Sequence, residues 1–508
     1  MPGTFFGLEI ARRGLQTHRT AMDTTGHNVA NASTPGYTRQ EAVITATDPY
    51  CNPTPGTKLI PGQMGTGAGT AMIRRVKNEY LDVQARDSAS AREYWQIQEE
   101  LFARIEAVFA EPGAKGIGDT LTKFFRCWHD LNNTPQDPGV KAAVAETGDE
   151  LATIMREAYK QLGDISGSIL KLDGAGNPQG GQLQNQVDTV NDILRQIRDL
   201  TESIKRIYAQ GNQPNDLLDK RDLLLDRLAQ YGPVSVTHHT DGGKPTGEIS
   251  LTFFGEDVRP EDAKVELKVA ADISGKVQEI KLTFSDSVNE VPLTGYPQDQ
   301  PQGGSLLGLA ETYQKIEGDN ANVPANEILG YRDMLNKLSE ALGTVINSTL
   351  GQKFFAEDAS GKLFTLASGG FSVAQNIMQN PSQIDGTKAL YVARLATIGM
   401  DGLEATLGQD AAGNPIKVTT YDLSGATFNE YFNGILADIG ARSGSAADLA
   451  ANQGAVAEQI DSLRQSVSGV NLDEELSRLL QFQYGYQASA RVMTTIDEML
   501  DYLINRTG

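Results

Sequence analysis

The sequence predicts an α+β protein of several domains, in which N- and C-terminal helices pair as a coiled coil, long helices form a central bundle, and β-rich lobes are inserted. Three observations predict this class. Apolar residues recur every seven positions at both ends of the chain, helical spacing runs from about residue 76 to 231, and stretches of β-branched or alternating character follow. The 508 residues exceed the ~250–300 at which one hydrophobic core usually stops growing, so several domains are expected.

Both terminal segments carry the seven-residue apolar repeat of a coiled coil. Such a repeat keeps one stripe of a helix facing a partner helix. Neither helix can bury its stripe alone, and a long chain that begins and ends in such helices is typical of a polymer subunit. The helices are predicted over about Phe5–Ala32 and Leu472–Asn505. The seam residues that form the predicted assembly interface are Leu8, Leu15, Met22, Val29, Leu472, Leu479, Phe482, Tyr486, Met493, Ile496, Leu500 and Leu503.

The first half of the chain is predicted to form one helix, a connector and a set of long helices. The N-terminal helix is expected to stop at Thr34-Pro35-Gly36, because proline disfavours helix in the residue before it and glycine permits a turn. A connector rich in proline and glycine extends to residue 72. Apolar spacing then predicts a bundle of long helices from about Val76 to Tyr231, which Gly232-Pro233 ends.

The second half alternates between strands and helices. Strands are predicted at Val234–Thr237, Ile249–Phe254, Val265–Ala270 and Val277–Phe284. Further strand candidates are Leu363–Leu366, Tyr391–Leu395 and Ile416–Thr420. Helices are predicted at about Asn326–Leu350 and from Phe428 to the end, with interruptions near Gly440–Ser445 and at Gly469.

These elements predict four domains. The terminal coiled-coil domain with its extended connector comprises residues 1–72 and 469–508, and the helical bundle domain comprises 73–232, 304–350 and 426–468. A β-rich inserted lobe comprises 233–303, and a mixed, β-rich inserted segment comprises 351–425. The β-rich insertions lie furthest in sequence from both termini, so they are expected to project outward from the helices.

Composition excludes several classes of function. Lys plus Arg number 44 against 65 Asp plus Glu, for a formal net charge of −21, and phosphate binding needs a local excess of Lys and Arg. Nucleic acid is therefore not expected as a partner. No run of ~18 apolar residues is present, so no membrane insertion is expected. Of the two cysteines, Cys51 and Cys127, two free thiols are expected, although one bridge between them would be feasible.

The N-terminus lacks the features of a cleavable signal peptide, and the polar residues form no recognisable catalytic motif. Residues 1–6 lack the basic stretch and apolar core of a secretory signal, which indicates either a cytoplasmic protein or export without signal cleavage. None of the five histidines lies in a metal motif, and no serine lies in a nucleophile elbow. We therefore expect no catalytic, cofactor-binding or metal-binding residues, no cofactor, and a protein that is not an enzyme.

Three stretches of the sequence form recognisable motifs. The N-terminal motif consists of Asn28, Asn31, Pro35, Gly36 and Tyr37, followed by Arg39-Gln40. It resembles the N-terminal signature of bacterial flagellar rod, hook and hook-associated proteins. The segments 187–228, which contains Pro214–Asp222, and 468–500 are similar to the helical domain and C-terminal helix of the hook-associated branch of that superfamily. The β-rich stretches carry no such resemblance.

The resemblance implies a structural adaptor that joins the flagellar hook to the filament at the hook–filament junction. It implies export by the flagellar type III apparatus, hence a cytoplasmic stage followed by an extracellular one. The implied partners are hook protein, a second hook–filament junction protein, copies of the chain itself in a ring, and an export chaperone on the C-terminal helices. Cys51, Cys127 and His18, which lies on the N-terminal seam, depart from the family pattern.

Two alternatives remain open from the sequence. A hook protein or flagellin would share the terminal helices, but Pro214–Asp222 and Arg39-Gln40 favour the hook-associated branch. A carbohydrate-binding adhesin or surface enzyme that displays β lobes on a helical stalk is an alternative from another class, because the β-rich stretches leave room for a ligand.

Overall fold

The computed structural model shows a chain of long helices with small antiparallel sheets between them. The residues that it describes are 5–50, 64–109, 116–174, 176–258, 264–271, 277–284, 290–297, 300–318, 330–409 and 415–506, with the backbone alone for 271 and 503–506. Cys51 lies outside these residues, whereas Cys127 is a free thiol.

Helices and strands follow one another in the order that the apolar spacing predicts for most segments. The α-helices of the described chain are α1 Phe6–Ala30, α2 Glu79–Phe109, α3 Ile117–Asn133, α4 Pro138–Ile169, α5 Gln182–Ala209, α6 Asn215–Ala229, α7 Ser305–Glu317, α8 Tyr331–Leu350, α9 Gln375–Gln379, α10 Ala389–Leu395, α11 Phe428–Ser468 and α12 Leu472–Arg506. Short 3₁₀ helices lie at Pro381–Gln383 and Gly386–Lys388.

Within the described residues, each strand pairs only with strands next to it in sequence. They are β1 Gln40–Ala46, β2 Ala68–Arg75, β3 Lys171–Leu172, β4 Pro178–Gly180, β5 Val234–Asp241, β6 Lys244–Phe253, β7 Glu256–Asp257, β8 Val265–Ala271, β9 Val277–Phe284, β10 Glu290–Pro292, β11 Glu404–Gln409 and β12 Pro415–Thr419. The antiparallel sheets are β1-β2, β3-β4, β5-β6-β7, β10-β9-β8 and β11-β12. The predicted β-rich lobe thus contains two separate three-stranded sheets, and the α+β multidomain class is confirmed.

Contacts divide the chain into two units. Unit 1 comprises residues 1–89, 192–263 and 455–508, and unit 2 comprises 90–191 and 264–454. The finer four-part division stays a prediction.

Unit 1 is organised around the terminal helices. Helix α1 packs along α12, and the β1-β2 hairpin packs against α1. The hydroxyl of Thr17 ties the helix to the hairpin by donating to the backbone oxygen of Ala68 at 3.1 Å. Because α1 is covered by both a helix and a hairpin, most of its buried residues are small: Ala11, Thr17, Ala21, Thr24, Thr25 and Asn28.

Unit 2 has an aromatic core between α3, α4 and the segment after α8. Helix α3 packs against α4, and its Phe124 and Trp128 are fully buried. The Trp128 ring meets Phe354 edge-on with centroids 5.4 Å apart, and Phe355 stacks on Phe371 at 4.8 Å. Such ring pairs add to the free energy gained by burying their apolar area, so this cluster anchors unit 2.

Two local predictions are wrong. Tyr391–Leu395, predicted as a strand, lies in α10, where Ala389, Val392 and Leu395 are buried at the three-residue spacing of a helix face. No interruption occurs at Gly440–Ser445, because α11 runs through it with Ile439 and Ala446 buried on one face. That burial offsets the ~1 kcal/mol that a glycine costs inside a helix.

The remaining local predictions have mixed outcomes. Ile416–Thr420 corresponds to β12 and is confirmed, whereas Leu363–Leu366 contributes only an isolated bridge from Leu363 to Glu357. The break at Gly469 is confirmed between α11 and α12. Among the helices of the described residues, none combines the length and the hydropathy that a membrane span requires.

Candidate assembly interface

Helices α1 and α12 form an antiparallel pair. The residues that meet are Gly7 with Ile496, Gly14 with Ser489, His18 with Gly485, and Asn28 with Glu475. In every pair the two residue numbers add to 503, so position rises along α1 as it falls along α12. The predicted pairing of the terminal helices is therefore present within a single chain.

Small residues form the face of α1 that meets α12. A methyl group added at Gly7 would lie 2.8 Å from Cδ1 of Ile496, and one added at Gly14 would lie 2.8 Å from Oγ of Ser489. The two backbones therefore approach closely because these positions carry no side chain. The residues predicted as the seam each lie one position after this glycine row or its seven-residue continuation, and they are only partly buried: Leu8, Leu15, Met22 and Val29.

The predicted seam residues of α12 divide into two groups. The partly buried residues are Leu479, Phe482, Met493, Ile496 and Leu500. Leu472 and Tyr486 are exposed instead. The side chain of Leu503 lies outside the described residues. The role of these residues as an interface between subunits stays a prediction.

Helix α12 also carries a set of large apolar side chains that remain exposed. We name this set the outer ridge, and its members are Leu472, Leu476, Leu480, Tyr484, Val492 and Met499. Leu480 is 52% exposed and Tyr484 69% exposed. Except for Leu472, the sequence reasoning missed these residues, because it followed only the seven-residue row. Their spacing of four from Leu472 to Tyr484 is the signal that could have found them.

Asn28 of the N-terminal motif connects four parts of unit 1 through one buried amide. Its Nδ2 donates to the backbone oxygen of Gln40 and to Oε2 of Glu475, both at 2.8 Å. Its Oδ1 accepts from the backbone N–H of Gln40 at 2.9 Å and from the hydroxyl of Tyr37 at 2.8 Å. An amide has this capacity of two donors and two acceptor positions, so Asn28 links the end of α1 to β1 and α12.

The other motif residues shape the turn after α1. Asn31 donates from Nδ2 to the backbone oxygen of His27 at 3.0 Å, and Pro35 is exposed in the turn. Burial, and then the charges of Asp216 and Asp219, raise the pKa of Tyr37 well above its ordinary value. The phenol therefore stays protonated and donates to Asn28.

Replacing Gly36 by alanine is expected to destabilise unit 1 by about 1–2 kcal/mol, because Gly36 has a φ of +75° and its added Cβ would lie 3.1 Å from Leu223. The free energy of unfolding from urea titration would measure this. Gly26→Ala is the matched control: Gly26 is helical with open space around it, so this variant should be neutral or up to about 1 kcal/mol more stable. Equal effects would contradict the prediction.

Acidic residues of α6 form an ion-pair cluster, which we name the acidic hub: the buried Asp219, the largely buried Asp222 and the partly exposed Asp226. Nη1 of Arg75, at the end of β2, lies 2.9 Å from Asp219 and 2.7 Å from Asp222. Nζ of Lys77 lies 3.0 Å from Asp222. Burial opposes ionisation of Asp222, but Lys77 and Arg75 hold its pKa well below the ordinary value. Burial raises the pKa of Asp219 despite its contact with Arg75.

Asp226 extends the acidic hub to two further helices. Its carboxylate lies 2.8 Å from Nε of Arg86 in α2 and 2.7 Å from Nη1 of Arg464 in α11. A cleft of about 900 Å³ is lined by these groups and by the turn after α1. The cations and carboxylates that line the cleft are largely paired with one another, so these groups hold the surrounding elements together.

The sequence reasoning missed the acidic hub as a functional element. It singled out Pro214–Asp222 only by resemblance, and nothing in the spacing identifies Arg75 as the partner. Within the ranges that the structure describes, no three His, Cys, Asp or Glu side chains are grouped to hold a metal ion. The ion pairs of the hub join α6 to β2, α2 and α11 in unit 1.

The fold and this interface define a structural protein in which both chain termini form one helical pair. Residues 102–364, just over half of the chain, match the family described as flagellar hook-associated protein FlgK helical domain. The chain belongs to that family. Residues 464–506 match the flagellar basal body rod FlgEFG protein C-terminal family, and residues 8–38 match the flagella basal body rod protein family.

Curated relatives are similar over the whole chain. Flagellar hook-associated protein 1 of Bacillus subtilis is 27% identical, with 100% of this chain and 99% of the relative covered. The proteins of the same name from Escherichia coli and Salmonella typhimurium are 25% and 22% identical, each with 98% of this chain and 99% of the relative covered. The solved flagellar hook junction protein FlgK from Burkholderia pseudomallei aligns with a TM-score of 0.48 and 16% identity, covering 76% of this chain and 100% of that one.

These findings confirm the resemblance read from the motifs. The chain is a structural component of the bacterial flagellum and of its hook-associated family, and it is not an enzyme. The alternatives of an adhesin or a surface enzyme receive no support from the relatives.

Proposed function

We propose that the chain joins hook to filament at the hook–filament junction and that copies of it assemble into a ring through the terminal helices. One observation carries this proposal: the outer ridge remains exposed although α1 already packs along α12. The names of the relatives are consistent with the location. The exposed ridge supplies a surface through which assembly can take place.

Burial of the outer ridge supplies free energy for assembly. Covering a half-exposed leucine contributes about 1 kcal/mol, roughly half of the value for burying a whole side chain. Leu472, Leu476 and Leu480 are each about half exposed, and Tyr484 and Met499 are more exposed still. Together these residues would contribute several kcal/mol to a subunit contact, while the α1–α12 pair holds them in place.

The same surface accounts for the proposed partners and route. Copies of the chain, hook protein and a second hook–filament junction protein contact the assembled ring. Before export the outer ridge is covered by a chaperone on the C-terminal helices, because an apolar stripe of this length favours association in the cytoplasm. The chain then leaves through the flagellar type III apparatus and acts outside the cell.

Replacing Leu480 and Tyr484 by serine is expected to abolish the junction while leaving the chain folded. Both side chains are exposed in the single chain, so the substitutions should change its stability by less than about 1 kcal/mol. Introduced into cells that lack their own copy, L480S/Y484S should give hooks without filaments and unassembled filament protein in the medium. Electron microscopy and quantification of the shed protein would measure both effects.

The matched control is Gln481→Ser with Gln483→Ser, which changes exposed polar residues that flank the ridge. This variant should support normal filaments. Circular dichroism of both purified variants would verify the helix content. A folded L480S/Y484S protein that restores normal swimming would contradict the proposal.

A further inference from the structure

The seam between α1 and α12 repeats, so it leaves the register of the pair ambiguous. Small residues recur every seven positions on α1 as Gly7, Gly14 and Ala21. A shift of α12 by seven residues, about 10 Å at ~1.5 Å per residue, would again bring a partly buried apolar residue of α12 against Gly14, namely Phe482 or Ile496. Repetition of this kind is what permits helices to slip along each other.

His18 breaks the repetition on α1. A methyl group added at Gly485 would lie 2.5 Å from Cε1, 2.7 Å from Nε2 and 2.8 Å from Nδ1 of His18, so the imidazole occupies the space that a side chain would fill. Gly485 is the only glycine in the sequence of α12. A shift of seven residues would place Arg478 or Val492 against the imidazole, and neither leaves room for it.

Glu475 breaks the repetition on α12. Its side chain is 1% exposed, and Oε2 accepts from Nδ2 of Asn28 at 2.8 Å. A shift of seven residues in one direction would place Glu475 opposite Ala21, and in the other direction beyond the end of α1 at Ala30. In the first case the buried carboxylate would lose its donor, which is strongly unfavourable for a charged group.

We propose that His18 and Glu475 determine the register of the terminal helix pair. His18 admits only glycine opposite it, and Glu475 requires the amide of Asn28. Because these two requirements lie ten residues apart along each helix, both are met only when paired residue numbers add to 503. This role concerns the isolated chain and does not depend on the proposed function.

Cysteine pairs can measure the register directly. An ideal Cβ at Gly14 lies 3.5 Å from Cβ of Ser489, within the range of a disulfide. In a full-length chain with Cys51 and Cys127 replaced by serine, G14C/S489C reports the native register. G7C/S489C and A21C/S489C report shifts of seven residues in the two directions. Brief oxidation, followed by mass spectrometry of the linked peptides, measures each product.

The native His18 and Glu475 should give the linked product only with G14C/S489C. Combining His18→Ala with Glu475→Leu should raise the shifted products on the order of tenfold, as expected where a polar residue fixes register in helix pairs. Glu475→Gln alone keeps an acceptor for Asn28 and should preserve the native register, which makes it the matched control.

Two results would overturn the proposal. If H18A/E475L still gives only the G14C/S489C product, the chain connections at the turn after α1 and before α12 set the register by themselves. If none of the three pairs links in H18A/E475L while G14C/S489C links in the native background, the two residues are needed for pairing itself and not for its register.

Discussion

Asn28→Ala is expected to destabilise unit 1 by about 3–5 kcal/mol. The amide of Asn28 is buried and serves Gln40, Tyr37 and Glu475 at distances of 2.8–2.9 Å. Alanine would leave two backbone groups, a phenol and a carboxylate without this partner, and each unsatisfied buried group costs about 1–3 kcal/mol before relaxation. Amide exchange over residues 6–30 and 472–482 would report the loss, and urea unfolding would give its size.

Asn31→Ala is the matched control for Asn28→Ala. Asn31 belongs to the same motif and residue type, but its bonds to His27 and Thr34 lie at the partly exposed end of α1. Its loss should cost below about 1 kcal/mol. Similar destabilisation by the two variants would show that the motif acts through the turn and not through the amide network.

The terminal helices could be predicted because their signal is local. Apolar periodicity over three or more heptads identifies a helix whatever it packs against, and α1 and α12 begin and end within a few residues of the prediction. The face of α1 that meets α12 could not be predicted in the same way. A heptad pattern draws attention to Leu8 and Leu15, whereas the α1 positions that meet Ile496 and Ser489 of α12 are Gly7 and Gly14, and α1 also has to cover a hairpin.

Local breaks depend on burial that lies elsewhere in the chain. The glycines at 440 and 444 predict a helix end by propensity, but Ile439 and Ala446 are buried on one continuous face of α11. Propensity differences of ~1 kcal/mol are smaller than the free energy of burying two such side chains. The prediction for Tyr391–Leu395 failed for another reason: a short apolar run fits a strand or a helix equally well.

The acidic hub shows where sequence reasoning ends. Arg75 and Asp222 meet at 2.7 Å although 147 positions separate them. Spacing identifies the buried side of α6, but it does not identify the charged group that lies opposite. The resemblance marked Pro214–Asp222 as distinctive, and in the structure this segment supplies the carboxylates of Asp219 and Asp222 that bind Arg75 at the end of β2.

Asp222→Asn is expected to destabilise unit 1 by about 3 kcal/mol at neutral pH. Removing one member of a buried ion pair costs about 3–5 kcal/mol, and the lower value applies because Asp219 still faces Arg75 and Asp82 still faces Lys77. The free energy of unfolding, compared between the two proteins at pH 7, would measure this cost. Asp199→Asn is the control, since that side chain is 70% exposed and should change stability by less than about 0.5 kcal/mol.

The effect of Asp222→Asn should also depend on pH with a definite sign. Lys77 and Arg75 hold the pKa of Asp222 below its ordinary value against the opposing effect of burial. A carboxyl with a lowered folded-state pKa contributes its full stability above its unfolded pKa of ~3.9 and loses it as pH falls through the folded value. Asp219, whose pKa burial raises, contributes in the opposite direction and is present in both proteins. The difference in the free energy of unfolding between wild type and D222N should therefore be constant from pH 8 to about 5 and shrink below about pH 4. If this difference grows on acidification instead, Asp222 is not the ionised partner of Arg75 and Lys77.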